Sequence, residues 1–309
     1  IEGEDIWRCT TCGTCPAQCP RGVKQIDVSV ALRRVATEYE IFPASVKSAR
    51  TARASLISEG NPLQGDRKKR ADWAKDQSVK TYSEGMEALY FVGCYLSYDP
   101  RMKKVATATA NILNKAGVDF GILGSQENCC GESIRKTGSE EVFKRLAKEN
   151  IKTFIDNGVK KVIVSSPHCY HTFKNEYPEF MVNFEVLHVS QYICELLKEG
   201  RLELAGDYGK KVTYHDPCYM GRHNDIYDEP RDILKRVPEL ELVEMVDSRK
   251  ESLCCGGGGG RIWMDTPKEE RFSDLRLEQA REIGAEVLVT ACPYCITNFE
   301  ESRLNLEYE

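Results

Sequence analysis

Long apolar runs are missing from this chain. No uninterrupted stretch approaches the roughly 18 residues that a membrane-crossing helix needs, which predicts a soluble polypeptide. An excess of positive charge is missing too. The formal net charge is −5, which argues against a nucleic-acid partner, and the basic run at 66–70 (DRKKR) reads as a solvated helix face. No secretory leader is visible, so structural disulfides are not the expected use of cysteine here. The one glycine-rich stretch, CCGGGGG at 254–260, is not followed by Gly-Lys-Ser/Thr and is therefore no phosphate loop. A flexible linker is a poor account of it as well, because it starts at two adjacent cysteines.

Cysteine, by contrast, is abundant, with fourteen among 309 residues. Without a secretory leader these thiols read as metal ligands or redox centres. Cys9, Cys12, Cys15 and Cys19 in CTTCGTCPAQCP form C-x2-C-x2-C-x3-C-P, the bacterial ferredoxin signature. Three closely spaced thiolates wrap one corner of a cubane 4Fe–4S cluster, and Pro20 turns the fourth away, usually toward a second cluster. Zinc prefers two separated C-x2-C pairs. No second such run occurs, and the chain opens at Ile1, close to its first cysteine motif. The partner motif is therefore expected N-terminal to Ile1 or on a bound subunit.

From residue 86 onward the chain repeats itself. Cys94 and Cys218 lie 124 residues apart, Cys129 and Cys254 lie 125 apart, and Cys169 and Cys295 lie 126 apart. That regularity marks an internal duplication. Each copy alternates strand-like apolar runs with amphipathic helices, and its cysteines fall at strand ends. The expected fold class is α/β: duplicated cysteine-rich domains with mainly parallel sheets, preceded by a partial ferredoxin-like helical iron–sulfur segment. The expected domains are 1–40, a ferredoxin-type segment; 41–85, a connector; 86–205, a first cysteine-rich domain; and 206–309, a second.

The second copy supplies Cys218, Cys254, Cys255, Cys292 and Cys295. A tetrahedral zinc or an ordinary cubane takes four thiolates; five, two of them adjacent, point to bridging. Adjacent residues of a regular strand face opposite ways, so Cys254 and Cys255 need a sharp bend, which Gly256 permits. The pattern C-x(31–39)-C-C-G-x(33–39)-C-P-x-C, duplicated behind ferredoxin-type cysteines, resembles the cysteine-rich CCG domain of heterodisulfide reductases. Over nearly all 309 residues the chain looks like the D-type subunit, and GNP…RADWA (60–73) and CCGGGGGRIWM (254–264) look closest to the group associated with electron-transfer flavoproteins. Iron–sulfur subunits of glycolate and lactate oxidases, and of membrane sulfite-reduction complexes, share the pattern. The resemblance implies a noncubane 4Fe–4S cluster on Cys218, Cys254, Cys255, Cys292 and Cys295, at which a disulfide is cleaved. The first copy departs from the pattern, because Ser166 stands where Cys292 stands in the second. Cys94, Cys129, Cys130 and Cys169 remain, a set suited to zinc, a smaller cluster or a conventional one, with His168 or His171 as further candidates.

Other residues carry weaker signals. Cys194 falls on an amphipathic helix and reads as a buried inert thiol. His188 has no constellation and His223 reads as structural, whereas His215 is placed to donate a hydrogen bond to a cluster sulfur or to protonate a leaving thiolate. Arg261 suits cluster charge or an acidic substrate, and Tyr219 and Tyr294 shield the site from water. Two functions stay open: an oxidoreductase subunit with heterodisulfide-reductase-type chemistry, or a non-catalytic electron relay between an electron-transfer flavoprotein and a membrane quinone pool. A scaffold holding structural zinc is a third. The first two imply a multi-subunit redox complex with a flavoprotein, a membrane haem or quinone subunit, or both. The expected location is cytoplasmic, with membrane association through partners or a preceding segment.

Overall fold

The structure is a computed structural model that describes residues 4–43, 46–75 and 77–307. The chain divides into two compact units, one made of residues 1–49, 136–138 and 204–309, the other of 50–135 and 139–203. The N-terminal cysteine segment thus shares a unit with the second repeat, and most of the 41–85 connector goes with the first repeat.

The first repeat forms a five-stranded parallel sheet from β1 (Lys80–Thr81), β2 (Ala88–Phe91), β3 (Phe120–Ile122), β4 (Lys161–Val164) and β5 (Glu185–His188), in the order β1-β3-β2-β4-β5. Every residue of β2 is buried, as expected for a parallel strand covered on both faces. Helices Lys103–Lys115 and Glu140–Asp156 turn apolar stripes inward. Phe91, Phe154, Phe173 and Tyr177 pack edge to face with centroids 4.7–6.1 Å apart, each pair adding about 0.5–1.5 kcal/mol beyond area burial.

The second repeat forms a three-stranded parallel sheet from β6 (Lys211–His215), β7 (Glu241–Val243) and β8 (Val287–Thr290), in the order β7-β6-β8. This reproduces β3-β2-β4 strand for strand. The register agrees as well: Phe91 lies opposite Val164, and His215 lies opposite Thr290. Parallel strands end at a common edge, and the cysteines follow those ends. Among the described residues no helix is long and apolar enough to cross a membrane.

Candidate metal centre

The five second-repeat cysteines converge although 77 positions separate the first from the last. Cys218 follows β6, Cys254 and Cys255 lie in the loop after β7, and Cys292 and Cys295 open the helix Pro293–Asn305 after β8. Each is 8% exposed or less. Gly256, at φ +91°, makes the bend that brings the adjacent pair to one side. The thiols form one continuous series. Cys218 meets Cys254, Cys254 meets Cys255, and Cys255 meets Cys295, with the last two sulfurs 3.2 Å apart; Cys295 also meets Cys292. Hydrogen bonds from Cys254 and Cys295 hold the Cys255 thiol well below its ordinary range. Cys295 is pushed up, by burial first and then by the hydrogen bond it gives Cys255. Cys255 is thus the group best prepared to be a thiolate, and thiolate is the ligating form.

Cys12 joins this series. It packs beside Cys218, Tyr219 and Cys254. Its thiol is raised by a hydrogen bond to Cys254 and then by burial, while Cys254 is lowered by hydrogen bonds from Cys12 and Cys218. Nothing in the sequence announces this contact. It depends on a clasp around residues 9–12. Arg222 Nε donates to the Cys12 carbonyl at 2.8 Å, His223 Nε2 lies 2.8 Å from the Thr11 carbonyl, and the Thr11 and Tyr219 hydroxyls are 2.9 Å apart. Arg33, fully buried, donates to the carbonyls of Ile6 (2.8 Å), Cys9 (2.7 Å), Lys136 (3.1 Å) and Gly259 (2.7 Å). Burial lowers its pKa to about 10. The glycine run completes the clasp. A Cβ on Gly258 would lie 2.4 Å from the Thr10 carbonyl oxygen, and one on Gly259 would lie 2.6 Å from that of Cys9. Two of the five glycines therefore admit the N-terminal segment, a purpose the sequence left hidden. Cys15 is exposed, and Cys9 and Cys19 are half-buried. Backbone N–H groups of Val23, Arg21 and Gly22 lower the Cys19 thiol.

Cys255 also helps to line a cavity of about 760 Å³. Its walls include Cys255, Gly256, Arg261, Trp263, Phe272 and Asn298. Asn298 Nδ2 donates to the Cys255 carbonyl at 2.8 Å, and Arg261 Nη2 donates to Thr266 Oγ1 at 2.8 Å.

The first repeat brings its four cysteines together in the same manner: Cys94 meets Cys129, Cys129 meets Cys130, and Cys130 meets Cys169. Ser166 and Cys292 occupy the same place, each the residue before a helix that opens on proline. A buried pair sits beside this cluster. Arg70 donates to Glu127 at 2.6 Å and reaches to 3.6 Å from Cys94 Sγ, and Glu127 also accepts from the Val92 and Gly93 amides. His168 Nδ1 lies 3.1 Å from Glu132 Oε2, both buried.

The remaining candidates have visible roles. Cys194 is buried on the helix Val189–Lys198, and His188 caps that helix, accepting at Nδ1 from the Ser190 amide at 3.2 Å. Tyr219 stacks on His223 with centroids 4.3 Å apart. Tyr294 is buried beside the ligand loop. His215 receives Arg276 Nε–H on its Nδ1 at 3.2 Å. Burial, and then the Arg276 charge, hold it well below the usual imidazole range. Both effects favour its neutral form.

The family model described as the cysteine-rich CCG domain matches twice, at residues 88–174 and 212–300. The chain is 41% identical to the probable iron-sulfur-binding oxidoreductase FadF of Bacillus subtilis over 96% of this chain and 43% of that protein. It is 36% identical to the EtfAB:quinone oxidoreductase of Syntrophomonas wolfei over 96% of this chain and 43% of that one. It is 32% identical to the D-type subunit of the dihydromethanophenazine:CoB–CoM heterodisulfide reductase of Methanosarcina barkeri over 97% of this chain and 73% of that one. The chain thus spans less than half the length of the first two relatives.

Proposed function

The chain belongs to the cysteine-rich CCG-domain family, in the group of the D-type heterodisulfide reductase subunits, and from that premise we propose that it is the electron-carrying iron–sulfur part of an oxidoreductase. Soft thiolates select iron–sulfur clusters or zinc, and five converging thiols exceed the four that zinc takes. The donor set therefore fits a noncubane 4Fe–4S cluster on Cys218, Cys254, Cys255, Cys292 and Cys295. Cys9, Cys12, Cys15 and Cys19 suit a cubane 4Fe–4S cluster. Cys94, Cys129, Cys130 and Cys169 suit zinc or another cluster. Bound clusters supply one-electron redox chemistry.

The protein's own part follows from how its residues are arranged around Cys254 and Cys255. Cys12 touches Cys254, so electrons delivered to the N-terminal segment have a one-contact route into the second-repeat thiols. Arg33, Arg222 and His223 hold that contact in register. The observation that carries the reading is the cavity, which Cys255 helps to line next to its contact with Cys295. A relay needs no such space. A small disulfide seated there would meet Cys255 across a wall of Trp263 and Phe272, with Arg261 positioned for an anionic group on it. The relay reading, between an electron-transfer flavoprotein and a membrane quinone pool, is favoured by the name of the Syntrophomonas relative. In either case the partners are a flavoprotein, a membrane haem or quinone subunit, or both.

Anaerobic reconstitution separates the two readings. Reduced protein given small disulfides should release thiols, and Arg261→Met should slow that release without slowing reduction by a flavoprotein. Quinone reduction with no thiol release from any disulfide would establish the relay instead.

A further inference from the structure

The two repeats treat one aromatic slot differently. β2 ends on Phe91 and β6 ends on His215, at matching register positions. Phe91 packs edge-on against Phe173, with centroids 4.7 Å apart at 88°. His215 packs edge-on against Phe299, at 4.8 Å and 86°. Phe173 and Phe299 are themselves 126 residues apart, the offset of the last cysteine pair. The second repeat thus sets an imidazole where the first sets a phenyl ring, in the same packing.

That exchange costs stability unless the nitrogens are used. His215 is 1% exposed, and a buried polar group without a partner costs about 1–3 kcal/mol. Arg276 accounts for one nitrogen. Its Nε–H can only donate, so Nδ1 of His215 is the lone-pair nitrogen and the ring proton sits on Nε2. Arg276 is itself fully buried, anchored by Gln279 Oε1 at 2.6 Å and Ser252 Oγ at 3.2 Å. The 126-residue offset places Asn150 at the corresponding position of the first repeat. Among the described residues Nε2 has no hydrogen-bond partner. A ring nitrogen of His215 lies within 4.8 Å of both Cys255 Sγ and Cys295 Sγ. With Nδ1 taken by Arg276, Nε2 is the ring nitrogen with a proton to give, and it makes no hydrogen bond to the thiols as they stand. A protonated nitrogen cannot ligate a metal, but it can donate to a sulfur that does.

We propose that His215 is a positioning residue of the second-repeat centre: an imidazole locked by Arg276 with its proton on Nε2, which gives this N–H to the Cys255–Cys295 sulfur pair when those sulfurs hold a cluster. This rests on the reading above that these thiols hold an iron–sulfur cluster. The donor belongs to the five-cysteine repeat alone. The four-cysteine repeat has Phe91 in its place, so the loss of the fifth thiol at Ser166 and the loss of the donor go together. A hydrogen bond to a ligating sulfur draws off negative charge and favours the reduced state, so it raises the reduction potential.

Two measurements test this. In the metal-free, reduced full-length chain, nitrogen-15 NMR of the histidine side chains should find His215 protonated on Nε2; protonation on Nδ1 overturns the inference. In the reconstituted protein, His215→Phe copies the packing of Phe91 without the donor. It should lower the potential of the second-repeat signal at unchanged iron content, whereas His215→Gln, which keeps an N–H, should restore part of the shift. An unchanged potential in the Phe variant overturns the proposal. So does a loss of iron in that variant at an unaltered thermal melt, because it would mark a ligand. A wild-type second repeat that binds no iron would instead overturn the reading of the site, and the NMR result would then decide the tautomer by itself.

Discussion

At the scale of single residues, adjacency means something different for Cys254 and Cys255. Cys254 meets Cys12 and Cys218, whereas Cys255 meets Cys295 and helps to line the cavity. Cys255→Ser should therefore remove the second-repeat electron paramagnetic resonance signal and lower the iron content, while the signal of the N-terminal cysteines persists. An unchanged spectrum would remove Cys255 from the ligand set. Gly258 offers a different test. A methyl group there meets the Thr10 carbonyl at 2.4 Å, a backbone atom that cannot swing aside. Gly258→Ala should cost about 1–3 kcal/mol, the usual range for overpacking, and should perturb the N-terminal cysteines more than Gly256→Ala does. A thermal melt and iron content compared across the two variants would show it. The glycine run was legible as a bend that turns two adjacent cysteines toward the other thiols. Its role as a seat for residues 9–10 was not, because the seat and its occupant are more than 240 positions apart.

At the scale of elements, the end of β6 is pinned by a buried ion pair. Arg231, on the helix Asp228–Leu234, donates to Asp216 at 2.6 and 2.8 Å and to Glu244 at 2.6 and 2.9 Å. Asp216 directly follows His215 and stands two residues before Cys218. Arg231→Met would strand a buried carboxylate and should cost about 3–5 kcal/mol in chemical denaturation. Glu244 is more exposed and matters less. The Arg231 hydrogen bond lowers its pKa below the ordinary 4.5. Its contribution is therefore fully present above pH 4.5 and fades as pH falls through the lower folded value. Glu244→Gln should flatten the stability profile only below about pH 4.5, by less than about 1 kcal/mol given the exposure; an equal loss at pH 7 and pH 4 would contradict this. The helix Pro167–His171 carries the other element-scale test. Ser166 precedes it as Cys292 precedes its counterpart. Ser166→Cys should raise the metal capacity of the first repeat, read as metal per chain against wild type; no gain would mean that the missing thiol is not what limits that site.

At the scale of the whole molecule, one compact unit is assembled from three separated pieces of chain. A fragment limited to residues 206–309 keeps all five second-repeat cysteines but loses Arg33, Thr10 and Cys12, which pack against Gly258, Gly259 and Cys254. It should melt with low cooperativity and load little iron. A fragment of residues 50–203 keeps the five-stranded sheet and should unfold cooperatively by circular dichroism. If the first fragment proved as stable and as iron-rich as the full chain, the N-terminal segment would be a passenger and not part of the centre.

The sequence by itself determined the repeat, the parallel α/β class and the convergence of the cysteines within each repeat. These follow from local rules: apolar runs of strand length alternate with amphipathic helices, parallel strands share an exit edge, and the CCG bend and the helix-opening proline recur at a nearly constant offset. Spacing alone was also enough to match Ser166 to Cys292. Only the tertiary structure decided which side chains flank the thiols. Cys12 beside Cys254, Arg33 across four carbonyls, Arg276 on His215 and the cavity beyond Cys255 all depend on contacts between remote segments, and such contacts leave no period or motif in the chain. The protonation of His215 is the sharpest case. A histidine three residues before Cys218 is open to acting as base, acid, ligand or donor. A single arginine N–H arriving from 61 residues away occupies one ring nitrogen and leaves the other only the part of a donor.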